Sequence, residues 1–354
     1  MDPYTDETGP VRVGEELDCS RLESYLRKSL AGDGPLAIEQ FPQGHSNLTY
    51  LLHWGGKEMV LRRPPFGNQV KSAHDMGREY RVLSRLCEVY PPAPRPYLYC
   101  EDPEVLGAPF YLMERRQGVV LRRRLPPGMR PDPNLVRRLC VALIDNLAAL
   151  HSLDYKAAGL SDLGKPDGYV TRQVTGWIGR YQNARTDDLP AMDQLAPWLM
   201  EHMPKESGAA MIHNDYKFDN VMLDPEDLTR IVAVFDWEMA TVGDPLMDLG
   251  TSLGYWVLAS DPPSLQESAI GPTAMAGSMT REELVERYAH SSGRDVSNVL
   301  FYYCFGLYKF AVIIQQIYAR YARGFTKDER FATFDERVRV ISEEGLRALE
   351  TGKL

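Results

Sequence analysis

The sequence predicts an α+β protein in two lobes: a small antiparallel sheet with one main helix over residues 1–116, then a larger, mostly helical lobe over 117–354. Three observations predict it. Short alternating β-like runs crowd the N-terminal part. From Asn134 to His151 the apolar residues Leu135, Leu139, Leu143, Leu147 and Leu150 recur at helical steps. Between the two textures the chain turns at Gln117-Gly118, which sets the domain boundary.

A helix is expected near Arg21 to Leu30, then strands at Ala37 to Phe41, Leu48 to Trp54 and Glu58 to Arg62, with Gly55-Gly56 as a hairpin turn. The Pro-rich stretch from Arg63 to Asn68 breaks the sheet. Ala73 to Cys87 then has helical spacing, with Met76, Tyr80, Leu83 and Leu86 on one face. A further strand pair brackets Gly107 and ends in Pro109 to Met113. Inside the helical lobe, Val221 to Leu223 and Ile231 to Phe235 form a hairpin around Pro225-Glu226-Asp227. A small β lobe joined to a large helical one is an architecture that puts a ligand cleft between them.

Composition narrows the function. With 354 residues, 44% hydrophobic and 25% charged, the chain can bury an enzyme-sized core. Its net charge of -9 argues against a nucleic-acid partner, and the run Arg122-Arg123-Arg124 is read as a solvated loop face. Five scattered cysteines show no metal spacing and are expected as reduced thiols. The acidic, polar N-terminus signals neither secretion nor organelle import, so a cytoplasmic location is expected. Val299 to Ile317 raises a membrane question, but Lys309, Gln315 and Gln316 interrupt it, and it reads as a buried helix rather than a membrane anchor. No protein partner is indicated.

The chemistry concentrates in His213-Asn214-Asp215-Tyr216-Lys217-Phe218-Asp219-Asn220, an H-x-D-x-x-x-x-N string leading into a short strand. Its spacing is that of a kinase catalytic loop. Phosphoryl transfer needs a carboxylate to hold the acceptor hydroxyl and a side-chain oxygen for a magnesium ion; Asp215 would supply the first and Asn220 the second. The next strand ends in Asp236-Trp237-Glu238, making Asp236 the second metal ligand, returned beside Asn220 by the hairpin. The bland alternative makes Asp215 and Asp236 surface turn residues and Asn220 a cap. Agreement of residue type, spacing and strand context favours the functional reading.

At these residues the chain resembles the aminoglycoside phosphotransferase and choline kinase family, of protein-kinase-like fold, through HNDYKFDN and FDWEMATVGDPLMDLG. It looks closest to the branch found as a kinase-like domain fused to some acyl-CoA dehydrogenases, through GHSNLTYLL, VLRRPP, REYRVLSRL, LAALHSLDY and RQVTGW. The resemblance implies ATP and Mg2+ as cofactors and a nucleotide site in the first lobe, with the catalytic loop, metal site and acceptor pocket in the second. Gly44, Ser46, Asn47 and Thr49 would belong to a phosphate-covering loop that has one glycine where protein kinases have three. Arg62 would stand in the place of the phosphate-binding lysine, with Glu79 its partner; Arg63 is the rival cation, and a strand-end charge the structural reading. Glu114 and Arg116 would offer backbone groups to adenine. Asp244 and Asp248 are read as braces and His213 as an orienting residue. Lys217 either touches the transferred phosphate or is solvated.

In similar kinases helices of the large lobe build the acceptor site, here offering Arg172, Trp177, Arg180 and Tyr181, then Tyr302, Tyr303, Tyr308 and Lys309. Arg172, Trp177, Arg180 and Tyr303 are the candidates, although aromatics at helical spacing also suit a core. Cations and aromatics fit a polycationic antibiotic poorly and favour an anionic hydroxyl acceptor, such as a hydroxy acid or hydroxyacyl compound. The expectation is an ATP- and Mg-dependent small-molecule kinase acting on an alcohol group. An antibiotic phosphotransferase and a non-catalytic nucleotide-binding scaffold remain alternatives. A protein kinase is disfavoured by the degraded glycine loop, the DWE sequence and the missing APE segment.

Overall fold

The computed structural model describes residues 8–41, 47–66 and 75–354. Helix α1 (Cys19–Ser29) precedes strands β1 (Ala37–Gln40), β2 (Leu48–Trp54) and β3 (Lys57–Arg63), then α2 (Met76–Leu86), β4 (Pro96–Cys100), α3 (Pro103–Leu106) and β5 (Phe110–Glu114). After these come α4 (Pro133–His151), α5 (Tyr169–Ala184), α6 (Pro190–Glu201), β6 (Ala210–Ile212), β7 (Val221–Leu223), β8 (Ile231–Val234) and β9 (Thr241–Gly243). Helices α7 (Pro245–Gly254), α8 (Pro263–Glu267), α9 (Arg281–Ser292), α10 (Val299–Ala322) and α11 (Phe334–Thr351) complete the chain. Gly107 ends α3 in a left-handed conformation between β4 and β5.

The chain divides into two units. The first runs to Val120 and also takes Ala158–Leu160 and Val221–Ala240; the second comprises Leu121–Ala157, Ser161–Asn220 and Thr241–Leu354. This differs from a single boundary at 117, because the β7/β8 hairpin is fastened to the first unit. The Val119 and Leu223 backbones exchange hydrogen bonds of 2.9 and 2.8 Å, and Val234 N–H donates to Pro92 O at 2.8 Å.

In the first unit the five strands lie in the order β1-β2-β3-β5-β4, all neighbours antiparallel. Gly55 and Gly56, at φ 59° and 73°, make the two-residue turn between β2 and β3 and pair Trp54 with Lys57. That register decides which side chains share a face. Tyr50, Leu52, Met59 and Leu61 point into a core with Leu22, Leu26, Phe110 and Leu112. Thr49, paired with Arg62, therefore lies on the opposite face, as do Leu51 and Val60.

The second unit is helical around α10, which is long and apolar enough to cross a membrane, although 78% of its most apolar window is buried within the protein. Helices α7 and α10 meet backbone to backbone: a methyl on Gly306 would overlap the Gly250 carbonyl, and one on Gly250 the Tyr302 carbonyl. This close crossing seats Asp248 of α7 and Lys309 of α10 in the interior, at 0% and 2% exposure. Gly306→Ala is therefore expected to cost about 3 kcal/mol of stability, the upper part of the range for overpacked cores. Chemical denaturation checks it; an unchanged midpoint would mean that the helices part freely.

Candidate active site

Among the described residues, two non-glycine residues adopt positive φ: Asn214 at 67° and Asp236 at 64°. Each sits in one of the two motifs. Left-handed backbone costs an L-residue about 1 kcal/mol or more unless its side chain bonds locally, and it persists where surrounding contacts enforce it.

In the first unit, Asp236 follows β8 and its carboxylate accepts from Arg62 Nη2 at 3.1 Å. Arg62 Nη1 lies 3.1 Å from Glu79 Oε1 on α2, which also accepts from Trp237 N–H at 3.2 Å. Burial would strip the Arg62 charge, yet Glu79 and Asp236 raise its pKa well above the usual arginine value. Burial pushes Glu79 upward, against the pull of Arg62. The two arginines lie on opposite sheet faces: Arg63 points to the core side, donates to Pro64 O and Leu106 O, and lies 3.7 Å from the Phe66 ring. Asn47 donates to Glu238 Oε2 at 3.0 Å, and burial together with the Asp236 charge pushes Glu238 up to about 7. Thr49 lies in β2, where its carbonyl accepts from Phe41 N–H. Gly44 and Ser46 lie outside the described residues. The Glu114 N–H is taken by Arg95 O at 2.8 Å, while its carboxylate binds Arg116 at 2.7 Å.

In the second unit the H-x-D-x-x-x-x-N loop hangs from Asp248. Its carboxylate accepts from His213 N–H at 2.6 Å, Asn214 N–H at 2.7 Å and His151 Nε2 at 3.1 Å, and Tyr288 OH meets His151 Nδ1 at 2.7 Å. Burial alone would raise the Asp248 carboxyl; His151 and these donors hold it below its usual value. Asp244 caps α7 through Leu246 N–H and binds Ser207. His213 Nδ1 accepts from Asp215 N–H at 3.2 Å, so the imidazole orients the loop from within.

Asp215 is paired with Lys217 and accepts from Asn220 Nδ2 at 2.9 Å. Burial acts to raise its carboxyl, but the adjacent Lys217 ammonium outweighs it, with His213 and Lys309 assisting, and the group is held ionised below the usual range. Lys217 also stands 5.2 Å from the Tyr255 ring. With Tyr216, Phe218, Trp256 and Ile270 these residues line a mostly apolar cavity at one side of the loop.

The proposed acceptor residues divide. Trp177 and Arg180 stay near the loop in chemistry: the indole takes the Arg180 guanidinium at 4.7 Å and the Lys309 ammonium at 5.7 Å, and Lys309 donates to Asn214 O at 2.7 Å. Arg180 is exposed and makes no ion pair or hydrogen bond with the described residues. Arg172 is instead committed to the carbonyls of Lys165 and Asp167. Tyr303 is fully buried, donates to Glu344 at 3.1 Å and packs beside Arg281, so it presents no atom to an acceptor. Sequence reasoning missed Glu238, His151 and Tyr169, whose hydroxyl bonds the Asn214 side chain at 3.1 and 3.2 Å. Only His151 carried a signal, as a polar residue closing the apolar face of α4.

Residues 37–284 match the model of the phosphotransferase enzyme family. The chain belongs to that family. Family membership makes it a phosphotransferase acting on hydroxyl groups, on the α+β kinase-like fold. A human protein, acyl-CoA dehydrogenase family member 11, is 35% identical over 339 residues, 94% of this chain and 43% of the relative. The chain thus spans less than half the length of that relative. A solved structure of a candidate aminoglycoside phosphotransferase from Ralstonia eutropha is 33% identical, with a TM-score of 0.80, covering 95% of this chain and 99% of that one. Aminoglycoside phosphotransferase APH(4)-Ia, solved with ADP and hygromycin B, is 15% identical with a TM-score of 0.60 over 92% of this chain and 98% of its own, and so shares the fold.

Proposed function

We propose that this phosphotransferase is an ATP- and Mg-dependent kinase of a small anionic alcohol, a hydroxy acid or hydroxyacyl compound. The observation that carries the reaction is the ionised, partly exposed Asp215, fixed by Lys217 and Asn220 on a loop suspended from Asp248. The donor set suits the cofactor. Among the described residues the buried Arg62 Nε has no partner, and the Arg116 N–H makes no hydrogen bond. The Asn220 NH2 is spent on Asp215, which leaves its oxygen for a metal, and Asp236 brings a carboxylate. Among the described residues no three His, Cys, Asp or Glu converge, which suits magnesium held by few protein oxygens and completed by phosphates.

When bound, MgATP supplies the γ-phosphoryl group, with the metal neutralising the charge that develops on it. Asp215 would orient the acceptor hydroxyl and take its proton as the P–O bond to the acceptor forms and the bond from the γ-phosphorus to the departing ADP breaks. Lys217 offsets negative charge beside Asp215, and Arg62, steadied by Glu79, binds a phosphate oxygen. Glu114 and Arg116 bring backbone groups to adenine. The acceptor reading rests on charge: among the described residues Arg180 pairs with no carboxylate, and it would repel a polycationic antibiotic.

An ATP-consumption screen with magnesium against hydroxy acids, hydroxyacyl thioesters, amino alcohols, sugars and aminoglycosides tests this, with Asp215→Asn as the blank. Turnover confined to anionic acceptors supports the reading, and turnover confined to aminoglycosides ends it. Arg180→Glu is expected to raise KM for an anionic acceptor about tenfold or more while leaving that for MgATP unchanged. An unchanged acceptor KM would remove Arg180 from the site.

A further inference from the structure

Lys309 is a buried ammonium on an apolar helix, at 2% exposure, and such a charge needs a compensating contact. No carboxylate lies within ion-pair distance among the described residues. Its hydrogen bonds go to Asn214 O at 2.7 Å and to Thr251 Oγ1 at 3.4 Å, and the Trp177 indole lies beside it. The short bond therefore goes to a neutral carbonyl.

That carbonyl belongs to the peptide joining Asn214 to Asp215, whose N–H donates to His213 Nδ1 at 3.2 Å. The peptide immediately before the Asp215 Cα is thus clamped at both ends, its oxygen by Lys309 and its N–H by His213. Asn214 is held on its other sides as well, its N–H by Asp248 and its amide by the Tyr169 hydroxyl. These contacts fix a left-handed residue, and the direction of the next side chain depends on it.

We propose that Lys309 is a positioning residue for phosphoryl transfer: by holding the Asn214 carbonyl it keeps the Asn214–Asp215 peptide in the orientation that aims the Asp215 carboxylate. The proposal rests on Asp215 being the group that receives the acceptor hydroxyl. It adds a residue of α10, far along the chain from the loop, to the machinery that sets the loop's geometry.

Lys309→Met removes the donor with little change in side-chain volume. It is expected to lower kcat about tenfold to a hundredfold, the cost of misplacing a reacting group by about an ångström, and to leave KM for MgATP within about twofold. Turnover is read with the acceptor that the screen identifies, or with water as acceptor where the screen identifies none. In the crystal structure of the variant, Asn214 should leave positive φ or Asp215 N–H should leave His213. A wild-type kcat overturns the proposal, as does a lowered kcat with the peptide unmoved. If Lys309→Met does not fold, Lys309→Leu, which also lacks a donor, is read by the same criteria. A chain that folds with neither replacement makes Lys309 a packing requirement and overturns the proposal too. Asp215→Asn measured alongside separates the failures: if it turns over at the wild-type rate, the reading of Asp215 fails, and if only the Lys309 variants do, the positioning role fails.

Discussion

Asp215→Asn is expected to lower kcat about a thousandfold while changing MgATP affinity less than about threefold. The amide keeps the shape of the carboxylate but cannot accept the hydroxyl proton. It also loses the charge that Lys217 and the Asn220 amide now hold between them. The loop itself should persist, because its backbone hangs from Asp248 through His213 and Asn214 rather than from Asp215. Stopped-time assays of ADP release and titration of the protein with MgATP measure the two quantities separately. A parallel loss of affinity and rate would mean that Asp215 binds nucleotide and would end its assignment as the proton acceptor.

The H-x-D-x-x-x-x-N loop was legible as a motif because its information is local. H-x-D-x-x-x-x-N and the following strand lie within a dozen or so residues, and nothing distant is needed to recognise them. The choice between Arg62 and Arg63 was less accessible, since adjacent strand residues face opposite ways and one slip of register exchanges them. The Gly55-Gly56 turn fixes that register and puts Arg62 on the face of Glu79 and Asp236, with Arg63 on the face of Leu106.

The acceptor side was legible only in part, for a different reason. Helix α10 is buried almost all round at its centre, so period 3.6 cannot separate an aromatic that lines a site from one that fills a core. Tyr303 proved to be the second kind, because Glu344 on α11 takes its hydroxyl. Arg172 looked like Arg180 in sequence, but a nearby turn offers it two carbonyls, whereas Arg180 lies against the Trp177 indole. Glu238, His151 and Tyr169 act through partners remote in sequence, and no spacing rule reaches across such distances.

Asp236→Asn should weaken MgATP binding at least about tenfold, about 1.4 kcal/mol, and make the loss larger as magnesium is lowered. Asparagine is the informative replacement. Asp236 sits at φ 64°, which Asn tolerates and Ala resists, so Asp236→Ala would mix backbone strain with the loss of a ligand oxygen. Arg62 keeps Glu79 at 3.1 Å in the variant, and the phosphate-side cation should stay in place. The nucleotide without metal is therefore expected to bind as it does to the unaltered chain, or more tightly, because one negative charge has gone. Titrations with ATP at high and at negligible magnesium decide the matter. An affinity lost equally at both would show that Asp236 acts by holding Arg62, and the metal assignment would fail; a loss confined to high magnesium makes its carboxylate the ligand.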